Sequence, residues 1–206
     1  MKKRCIIISG GDFSPVPSPE EDDFIIACDR GYYYARRCGI RPDLLVSDFD
    51  SYDGPVDEDV PVNRFKPEKD DTDTMIAIRY AIAHGFEEIL LCCALGGRFD
   101  HAFANLQSAV FSAQHGVPLR ILAEDTEICT LKNDTLQLPR RPGWSLSVFS
   151  AVDECRGVSI RGAKYPLDSV TVSNAYPIGV SNEWAEDVAE VSVEDGLLLV
   201  IQSRLS

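Results

Sequence analysis

The chain has 206 residues, of which 45% are hydrophobic, so it can form one large domain or two small ones with a real core. A formal net charge of −13 argues against nucleic acid or an anionic membrane as a partner. No apolar run approaches the roughly 18 residues of a membrane span, and the run after the basic start is too short for a signal peptide. We therefore expect a cytoplasmic protein.

Strands and helices alternate in the first half of the sequence. Five continuous apolar runs predict strands at residues 5–9, 24–28, 43–47, 88–95 and 119–124. Runs of this kind are typical of parallel strands that are covered on both faces. Two helices are predicted between them, at 72–85 and 100–116, each closed by a glycine. The second helix should bury the face that carries Phe103, Leu106, Val110 and Ala113. This alternation predicts a three-layer α/β domain with a mainly parallel sheet over residues 1–125.

The pattern changes near residue 126. Short strand-like segments at 135–139, 144–152, 157–162, 169–173, 189–195 and 197–203 are separated by Gly, Pro, Asn and Asp. No helical period remains, so residues 126–206 read as an antiparallel β-sandwich or barrel. The cysteines number seven and form no CxxC pair, which indicates buried free thiols in a reducing compartment.

Acidic residues follow the predicted strands of the first domain. The stretch "LLVSDFDS" (44–51) ends an apolar run in Asp48 and Asp50, two carboxylates that would repel one another. Other polar groups follow the remaining strands or begin a helix: Asp12, Asp29, the DDTD segment at 70–73, and Arg98, Asp100 and His101 in "LGGRFDH". Ligands of open α/β sheets bind beyond the carboxyl ends of the strands, so these groups should meet there.

Single members of this set have a simpler explanation as surface charges or helix caps. Thr72 is at least as well explained by capping a helix as by binding a ligand. Together, however, converging carboxylates would destabilise the fold unless a cation compensated them. Mg²⁺ fits, because it takes oxygen ligands and is completed by substrate phosphates. Arg98 and the Gly-Gly turn before it would supply donors to those phosphates.

The ordered motifs D-x-G (Asp29, Gly31), "PDLLVSDFDS" (42–51), "KPEKDDTD" (66–73) and "LGGRFDH" (95–101) resemble thiamin pyrophosphokinases. The later "GAKYPL" (162–167), "GVSNEW" (179–184) and "GLLLV" (196–200) look like the C-terminal half of that family. The resemblance implies an α/β nucleotide domain followed by a thiamin-binding and dimerisation β-sandwich. It also implies transfer of a pyrophosphoryl group from ATP to the hydroxyl of thiamin, giving thiamin diphosphate and AMP. The expected cofactor is Mg²⁺, and the expected assembly is a homodimer with thiamin sites between subunits.

The resemblance also implies site residues. Those expected to bind metal are Asp48, Asp50, Asp73 and Asp100; those expected to take part in catalysis are Asp73, Asp48, Asp50 and Arg98. Those expected to bind ATP are Asp29, Gly31, Ser51, Arg98, Asp100 and His101. Those expected to bind thiamin are Lys69, Asp70, Ser181, Asn182 and Trp184. For Trp184, stacking on thiamin and ordinary core packing are equally good explanations. The chain departs from the family pattern at Ser47, Lys69 and Ile76, which puts fine contacts in doubt.

Three other functions have to be compared with this one. A haloacid-dehalogenase-type phosphatase also carries D-x-D after a strand, but its motif opens the fold and it has no use for GGRFDH. A pyrophosphokinase acting on a pterin alcohol would keep the nucleotide half, whereas the β-domain motifs favour thiamin. A nucleotide- or thiamin-sensing module without turnover would not need Asp48, Asp50, Asp73 and Asp100 intact.

Overall fold

A computed structural model describes residues 3–47, 54–57, 59–63 and 71–205. The chain divides into two compact units, Met1–Glu124 and Asp125–Ser206. Within the described residues, no helix has the length and apolar character that crossing a membrane requires. All seven cysteines are free, and Cys38 is the one that is exposed.

The first unit is a parallel sheet with helices packed on it. Its strands are β1 (Arg4–Ile8), β2 (Phe24–Cys28), β3 (Leu44–Val46), β4 (Val62–Asn63), β5 (Glu88–Cys92) and β6 (Leu119–Leu122). The helices described there are α1 (Gly31–Arg37), α2 (Asp73–Ala83) and α3 (Phe99–Gln114). The strand order is β6-β5-β1-β2-β3-β4, and every pair is parallel.

Side chains on both faces of the central strand are buried. Neighbouring residues of a strand point to opposite faces, yet Cys5, Ile6, Ile7 and Ile8 are all inaccessible to solvent. Helix α1 packs Tyr34 and Ala35 against the face that carries Ile6 and Ile8. Covering both faces explains the unbroken apolar runs, and the predicted three-layer α/β fold is confirmed.

Two local predictions in this unit were wrong. The strand predicted at 88–95 ends at Cys92, because Cys93 takes a left-handed backbone conformation with φ of 54°. On the face of α3 that was predicted to be buried, Ala113 is buried, but Phe103 is 51% exposed. The buried face instead carries small or polar residues, among them Asn105, Ser108 and Ser112.

The buried polar groups of α3 have partners nearby. The hydroxyl of Ser108 donates to the carbonyl of Ala104 at 2.8 Å, and the amide of Asn105 donates to the carbonyl of Ala94 at 2.7 Å. A buried polar side chain costs little when it is hydrogen-bonded, and small side chains let a helix pack closely. The contact between Asn105 and Ala94 ties α3 to the chain just beyond β5.

The strands of the second unit form two antiparallel layers of four strands each. Its strands are β7 (Thr126–Lys132), β8 (Thr135–Pro139), β9 (Trp144–Ser150), β10 (Glu154–Arg161), β11 (Leu167–Ser173), β12 (Gly179–Asn182), β13 (Val188–Ser192) and β14 (Leu197–Arg204). One sheet has the order β12-β9-β14-β7 and the other β11-β10-β13-β8. Both sheets contribute to one hydrophobic core, for example Val148 and Val200 from the first and Ile160 and Val191 from the second. The β-sandwich is confirmed, although β7 and β12 were not predicted as strands.

Candidate active site

A cavity of about 510 Å³ lies in the first unit, beyond the carboxyl ends of β1, β2 and β5. Its walls come from residues 9–12, 28–30, 71–74 and 96–98, together with Ala94, His101 and Asn105. Parallel strands bring their carboxyl ends to one edge of the sheet, and α2 and α3 begin at the same place. Residues that are far apart in the sequence therefore meet in this cavity.

Asp73 lies in this cavity, in the first turn of α2. Thr72 caps the helix, its hydroxyl accepting from the backbone N–H of Met75 at 3.2 Å, as predicted from its helix-cap pattern. The next residue, Thr74, is buried and its hydroxyl lies 2.7 Å from that of Ser9, just beyond β1. The backbone carbonyl of Asp73 accepts from the thiol of Cys28 at 3.6 Å. The start of α2 is thus fixed to the ends of two strands.

Negative charge converges on the end of β2. Burial raises the pKa of the Cys28 thiol well above its usual value, and the carboxylates of Asp73 and Asp29 raise it further. The hydroxyl of Ser47 donates to Asp29 at 3.2 Å. Ser47, one of the positions at which the chain departs from the pattern of the family it resembles, thus supplies a donor to an acidic residue of the cavity.

The Gly-Gly turn of "LGGRFDH" lies beside Asp12. Gly96 and Gly97 both have positive φ, of 80° and 60°. A Cβ at Gly96 would lie 2.2 Å from Oδ2 of Asp12, so this position has no room for a side chain. Oδ2 of Asp12 accepts from the backbone N–H of Gly97 at 3.1 Å. The carboxylate thereby fixes the conformation of the turn that precedes Arg98.

Arg98 and Asp100 form a two-point ion pair at the start of α3. Nε of Arg98 donates to Oδ1 of Asp100 at 3.1 Å, and Nη2 donates to Oδ2 at 2.5 Å. The hydrogen bonds from Arg98 and from the backbone N–H of His101 hold the pKa of the Asp100 carboxyl below its usual value. Both side chains of the pair are exposed, so a ligand can reach them.

Asp29 and His101 line the cavity, whereas Gly31 does not. A Cβ at Gly31 would lie 1.9 Å from the backbone carbonyl oxygen of Ile8, so its glycine is required by the packing of α1 on β1. Asp48, Asp50, Ser51, Lys69 and Asp70 lie outside the described residues. Within the described residues, no group of three or more His, Cys, Asp or Glu side chains is arranged to hold a metal ion.

Several cavity residues were not singled out from the sequence, among them Ser9, Arg30 and Asn105. Ser9 and Asn105 carry no charge, so only the fold reveals that they line the cavity. Arg30 could have been found, because it is the middle residue of the D-x-G motif after β2. Asp12 was noted in the sequence as a residue at a strand end, and the structure places it in the cavity wall.

The predicted thiamin-binding residues of the second unit lie on or just beyond β12. Asn182 is buried, its amide donating to the backbone carbonyl of Tyr165 at 2.7 Å. Trp184 is 7% exposed, belongs to the sandwich core, and donates from Nε1 to the carbonyl of Leu138 at 2.9 Å. Ser181 is exposed and has a positive φ of 58°. The thiamin roles of these three residues stay predictions.

The fold and the cavity define an α/β protein with a candidate ligand site at the carboxyl edge of a parallel sheet, followed by a separate β-sandwich unit. Two family models match it: the catalytic domain of thiamin pyrophosphokinase over residues 19–121, and the vitamin B1 binding domain of thiamin pyrophosphokinase over residues 134–198. The chain belongs to the thiamin pyrophosphokinase family.

Relatives of known structure share the whole fold. The chain is 23% identical to thiamine pyrophosphokinase of Bacillus subtilis over 98% of this chain and 99% of that one. The crystal structure of thiamine pyrophosphokinase from Bacillus subtilis matches with a TM-score of 0.86, at 22% identity, over 98% of this chain and 99% of that one. That of thiamin pyrophosphokinase from Geobacillus thermodenitrificans matches with a TM-score of 0.84, at 26% identity, over 98% of each chain.

Proposed function

We propose that this protein is an ATP-dependent diphosphotransferase that converts thiamin and ATP into thiamin diphosphate and AMP. One observation carries the proposal: the cavity brings Asp73 of the DDTD segment and Arg98 of the GGRFDH segment to one sheet edge. Both segments belong to the motifs by which the chain resembles its family, and they lie 25 residues apart in the sequence. The first unit is then the nucleotide domain, and the second the thiamin-binding and dimerisation domain.

The donor chemistry of the cavity fits Mg²⁺. Of the described carboxylates in its wall, Asp12, Asp29 and Asp73 are oxygen ligands of the kind this ion prefers, whereas Asp71 is already paired with Arg79. Asp73 would hold the ion together with Asp48 and Asp50, and Asp100 would reach it directly or through water. When bound, Mg²⁺ would neutralise phosphate charge and favour a bent triphosphate.

The reaction needs positioning and charge neutralisation more than covalent chemistry from the protein. The thiamin hydroxyl oxygen forms a bond to the β-phosphorus of ATP, and the bond from that phosphorus to the α,β-bridging oxygen breaks. The bridging oxygen leaves on AMP. We assign Asp73 the role of accepting the hydroxyl proton, since it lies in the cavity and is close in sequence to Lys69 and Asp70, which are expected to bind thiamin. Arg98 would neutralise charge on the phosphates, with Asp29, Ser51 and His101 around the nucleotide.

Thiamin carries a permanent thiazolium charge, which suits a chain of net charge −13. In the second unit, the side chains of Asn182 and Trp184 form hydrogen bonds to backbone carbonyls of the same unit. We therefore assign them the task of shaping the end of β12 that presents Ser181 to thiamin. In the proposed homodimer, that segment faces the cavity of the other subunit.

Product analysis tests the activity. The protein is incubated with ATP, Mg²⁺ and thiamin, and the nucleotides and thiamin esters are separated by chromatography. AMP and thiamin diphosphate in equal amounts are expected. ADP, free phosphate or an absence of turnover would contradict the proposal. Replacing thiamin with a pterin alcohol tests the alternative substrate, and calorimetric binding of ATP or thiamin without turnover would indicate a sensing module.

Light scattering after size-exclusion chromatography tests the assembly separately. A particle of twice the chain mass is expected. A monomer that turns over thiamin at a normal rate would contradict thiamin sites shared between subunits.

A further inference from the structure

Arg30 is a positive charge in the wall of the cavity that none of the predicted roles uses. It lies at the N-cap position of α1, between Asp29 and Gly31, and its side chain is exposed. Its Cβ lies next to Gly10, since a Cβ built at Gly10 would lie 3.3 Å from it. The residue therefore lies beside the end of β1, and its side chain remains accessible to a ligand.

An aromatic ring supports this guanidinium. Cζ of Arg30 lies 5.4 Å from the centroid of the Tyr34 ring. Tyr34 itself is buried, and its hydroxyl donates to the backbone carbonyl of Gly11 at 2.9 Å. A fixed aromatic ring restricts the positions that the guanidinium can take. The ring does not accept the hydrogen bonds of the guanidinium N–H groups. The five N–H donors of the guanidinium are thus still available to a ligand.

The two arginines of the cavity wall differ in their partners. Arg98 is engaged at two points by Asp100. Arg30 has no hydrogen bond or ion pair from its guanidinium to any residue that the structure describes. Four carboxylates also line the cavity, so a polyphosphate entering it meets more negative than positive charge. Arg30 is the cation in this wall whose charge is not already neutralised by a described carboxylate.

We propose that Arg30 binds the phosphate tail of the nucleotide, acting beside Arg98 as a second phosphate contact. This inference rests on the proposed function, since it takes ATP as the ligand. Guanidinium groups bind phosphate oxygens through two parallel hydrogen bonds, which fix orientation as well as affinity. Arg30 would hold the tail at the β2 end of the cavity while Arg98 holds it at the α3 end.

Binding measurements with Mg²⁺-ATP and with AMP test the inference, in the absence of thiamin. In Arg30→Ala, the Kd for Mg²⁺-ATP should rise about ten- to a hundredfold, the range expected for losing a hydrogen bond to a charged group. The Kd for AMP, which lacks the β- and γ-phosphates, should change by less than about threefold. Arg30→Lys keeps the charge without the paired donors and should give an intermediate Kd for Mg²⁺-ATP.

Arg37→Ala is the matched control. Arg37 belongs to the same helix and also lies over an aromatic ring, with Cζ 4.1 Å from the centroid of Phe13, but it does not line the cavity. Its loss should leave both Kd values unchanged. Circular dichroism and thermal unfolding of each variant verify that the fold persists, and Arg30→Gln, which keeps a stem of similar length, replaces Arg30→Ala if that variant unfolds.

Three results would overturn the inference. The first is an equal rise in the Kd for Mg²⁺-ATP and for AMP in Arg30→Ala, and the second is an unchanged Kd for Mg²⁺-ATP in that variant. The third is a wild-type protein that does not bind Mg²⁺-ATP. Failure of the proposed function gives a different result: a wild-type protein that binds Mg²⁺-ATP in an Arg30-dependent way but forms no thiamin diphosphate.

Discussion

The hydroxyl oxygens of Ser9 and Thr74 lie 2.7 Å apart in the interior of the first unit. Ser9 follows β1, and Thr74 is the second residue of α2, so this hydrogen bond joins two segments that are 65 residues apart. Thr74 is adjacent to Asp73, which lines the cavity. The bond therefore fixes the start of α2 against the sheet and, with it, the position of Asp73.

Removing one hydroxyl of this pair should reduce both stability and turnover. Ser9→Ala leaves the buried hydroxyl of Thr74 without its partner, which should lower the free energy of unfolding by about 1–3 kcal/mol. A displaced Asp73 should lower kcat about tenfold or more while KM for ATP changes little, since reacting groups are sensitive to small shifts. Urea unfolding and the rate of AMP formation measure the two effects.

Thr74→Ser is the control, because it keeps the hydroxyl and should retain most of the kcat. Thr74→Val removes the hydroxyl with little change of shape. In the double variant Ser9→Ala/Thr74→Val, the free energy of unfolding should fall by less than the sum of the two single decreases, since neither hydroxyl is then left unpaired. A normal kcat in Ser9→Ala, despite lower stability, would show that the hydrogen bond serves the fold alone.

Asp73 and Asp71 offer a direct comparison of two carboxylates that lie two residues apart. Oδ2 of Asp71 accepts from Arg79 at 2.6 Å, so its charge is already engaged on the helix surface. Asp73→Asn should lower kcat by about a hundredfold or more, because it removes a carboxylate that is proposed to bind the metal and to accept the proton. Asp71→Asn should stay within about threefold of the wild type, because a surface ion pair contributes little. Steady-state rates over a range of Mg²⁺ concentrations measure this, and similar losses in both variants would contradict the role given to Asp73.

The strands of the first unit were predictable because burial on both faces requires unbroken apolar runs, as in Ile6 to Ile8. The start of α2 was predictable as well, since Thr72 precedes an apolar-periodic segment and does cap it. The end of β5 was not, because nothing in the sequence marks Cys93 for a left-handed conformation. The buried face of α3 was predicted only in part, because the polar side chain of Asn105 is buried with a hydrogen bond to the carbonyl of Ala94.

The candidate site likewise contains features that could be predicted from the sequence and others that could not. Asp29, Asp73 and Arg98 could be placed in advance, since each follows a strand or begins a helix at the carboxyl edge of the sheet. The pairing of Ser9 with Thr74 could not, because it depends on how α2 packs on the end of β1. Arg98 was predicted as a phosphate ligand, but its ion pair with Asp100 is a side-chain geometry that the sequence does not reveal.

Alanine variants of Gly96 and Gly85 distinguish the effect of backbone strain from the effect of disturbing the cavity. Both have positive φ, of 80° and 71°, so alanine at either position strains the backbone by about 1–2 kcal/mol. A Cβ at Gly85 would meet nothing within 4 Å, whereas a Cβ at Gly96 would lie 2.2 Å from Asp12. Gly96→Ala should therefore displace Asp12 and the turn, and raise KM for ATP about tenfold or more, while Gly85→Ala should affect stability only.

Nucleotide binding and thermal unfolding of the two glycine variants provide the measurement. Equal KM values for ATP in Gly96→Ala and Gly85→Ala would mean that the Gly-Gly turn has no role in binding the nucleotide.

The ion pair between Arg4 and Asp23 should make the stability of the first unit depend on pH. Nε and Nη2 of Arg4 donate to the two carboxylate oxygens of Asp23 at 2.7 and 2.6 Å, and the side chain of Asp23 is only 4% exposed. Burial acts to raise the pKa of this carboxyl, but the hydrogen bonds from Arg4 and the backbone N–H of Glu20 outweigh it, so the pKa is lowered. A carboxyl with a lowered pKa in the folded state stabilises that state above its unfolded pKa of about 3.9.

That stabilisation is lost as the pH falls through the lower, folded-state pKa. Asp23→Asn should therefore reduce the free energy of unfolding by about 1–3 kcal/mol at pH 7, and its difference from the wild type should shrink below about pH 4. Asp59→Asn is the control, because the pair of Arg41 with Asp59 has a similar distance of 2.7 Å but side chains that are 60% and 70% exposed. The free energy of unfolding of Asp59→Asn should lie within about 0.5 kcal/mol of the wild-type value at pH 7. Urea unfolding at several pH values gives all of these quantities, and a constant difference for Asp23→Asn between pH 7 and pH 3 would refute the assignment.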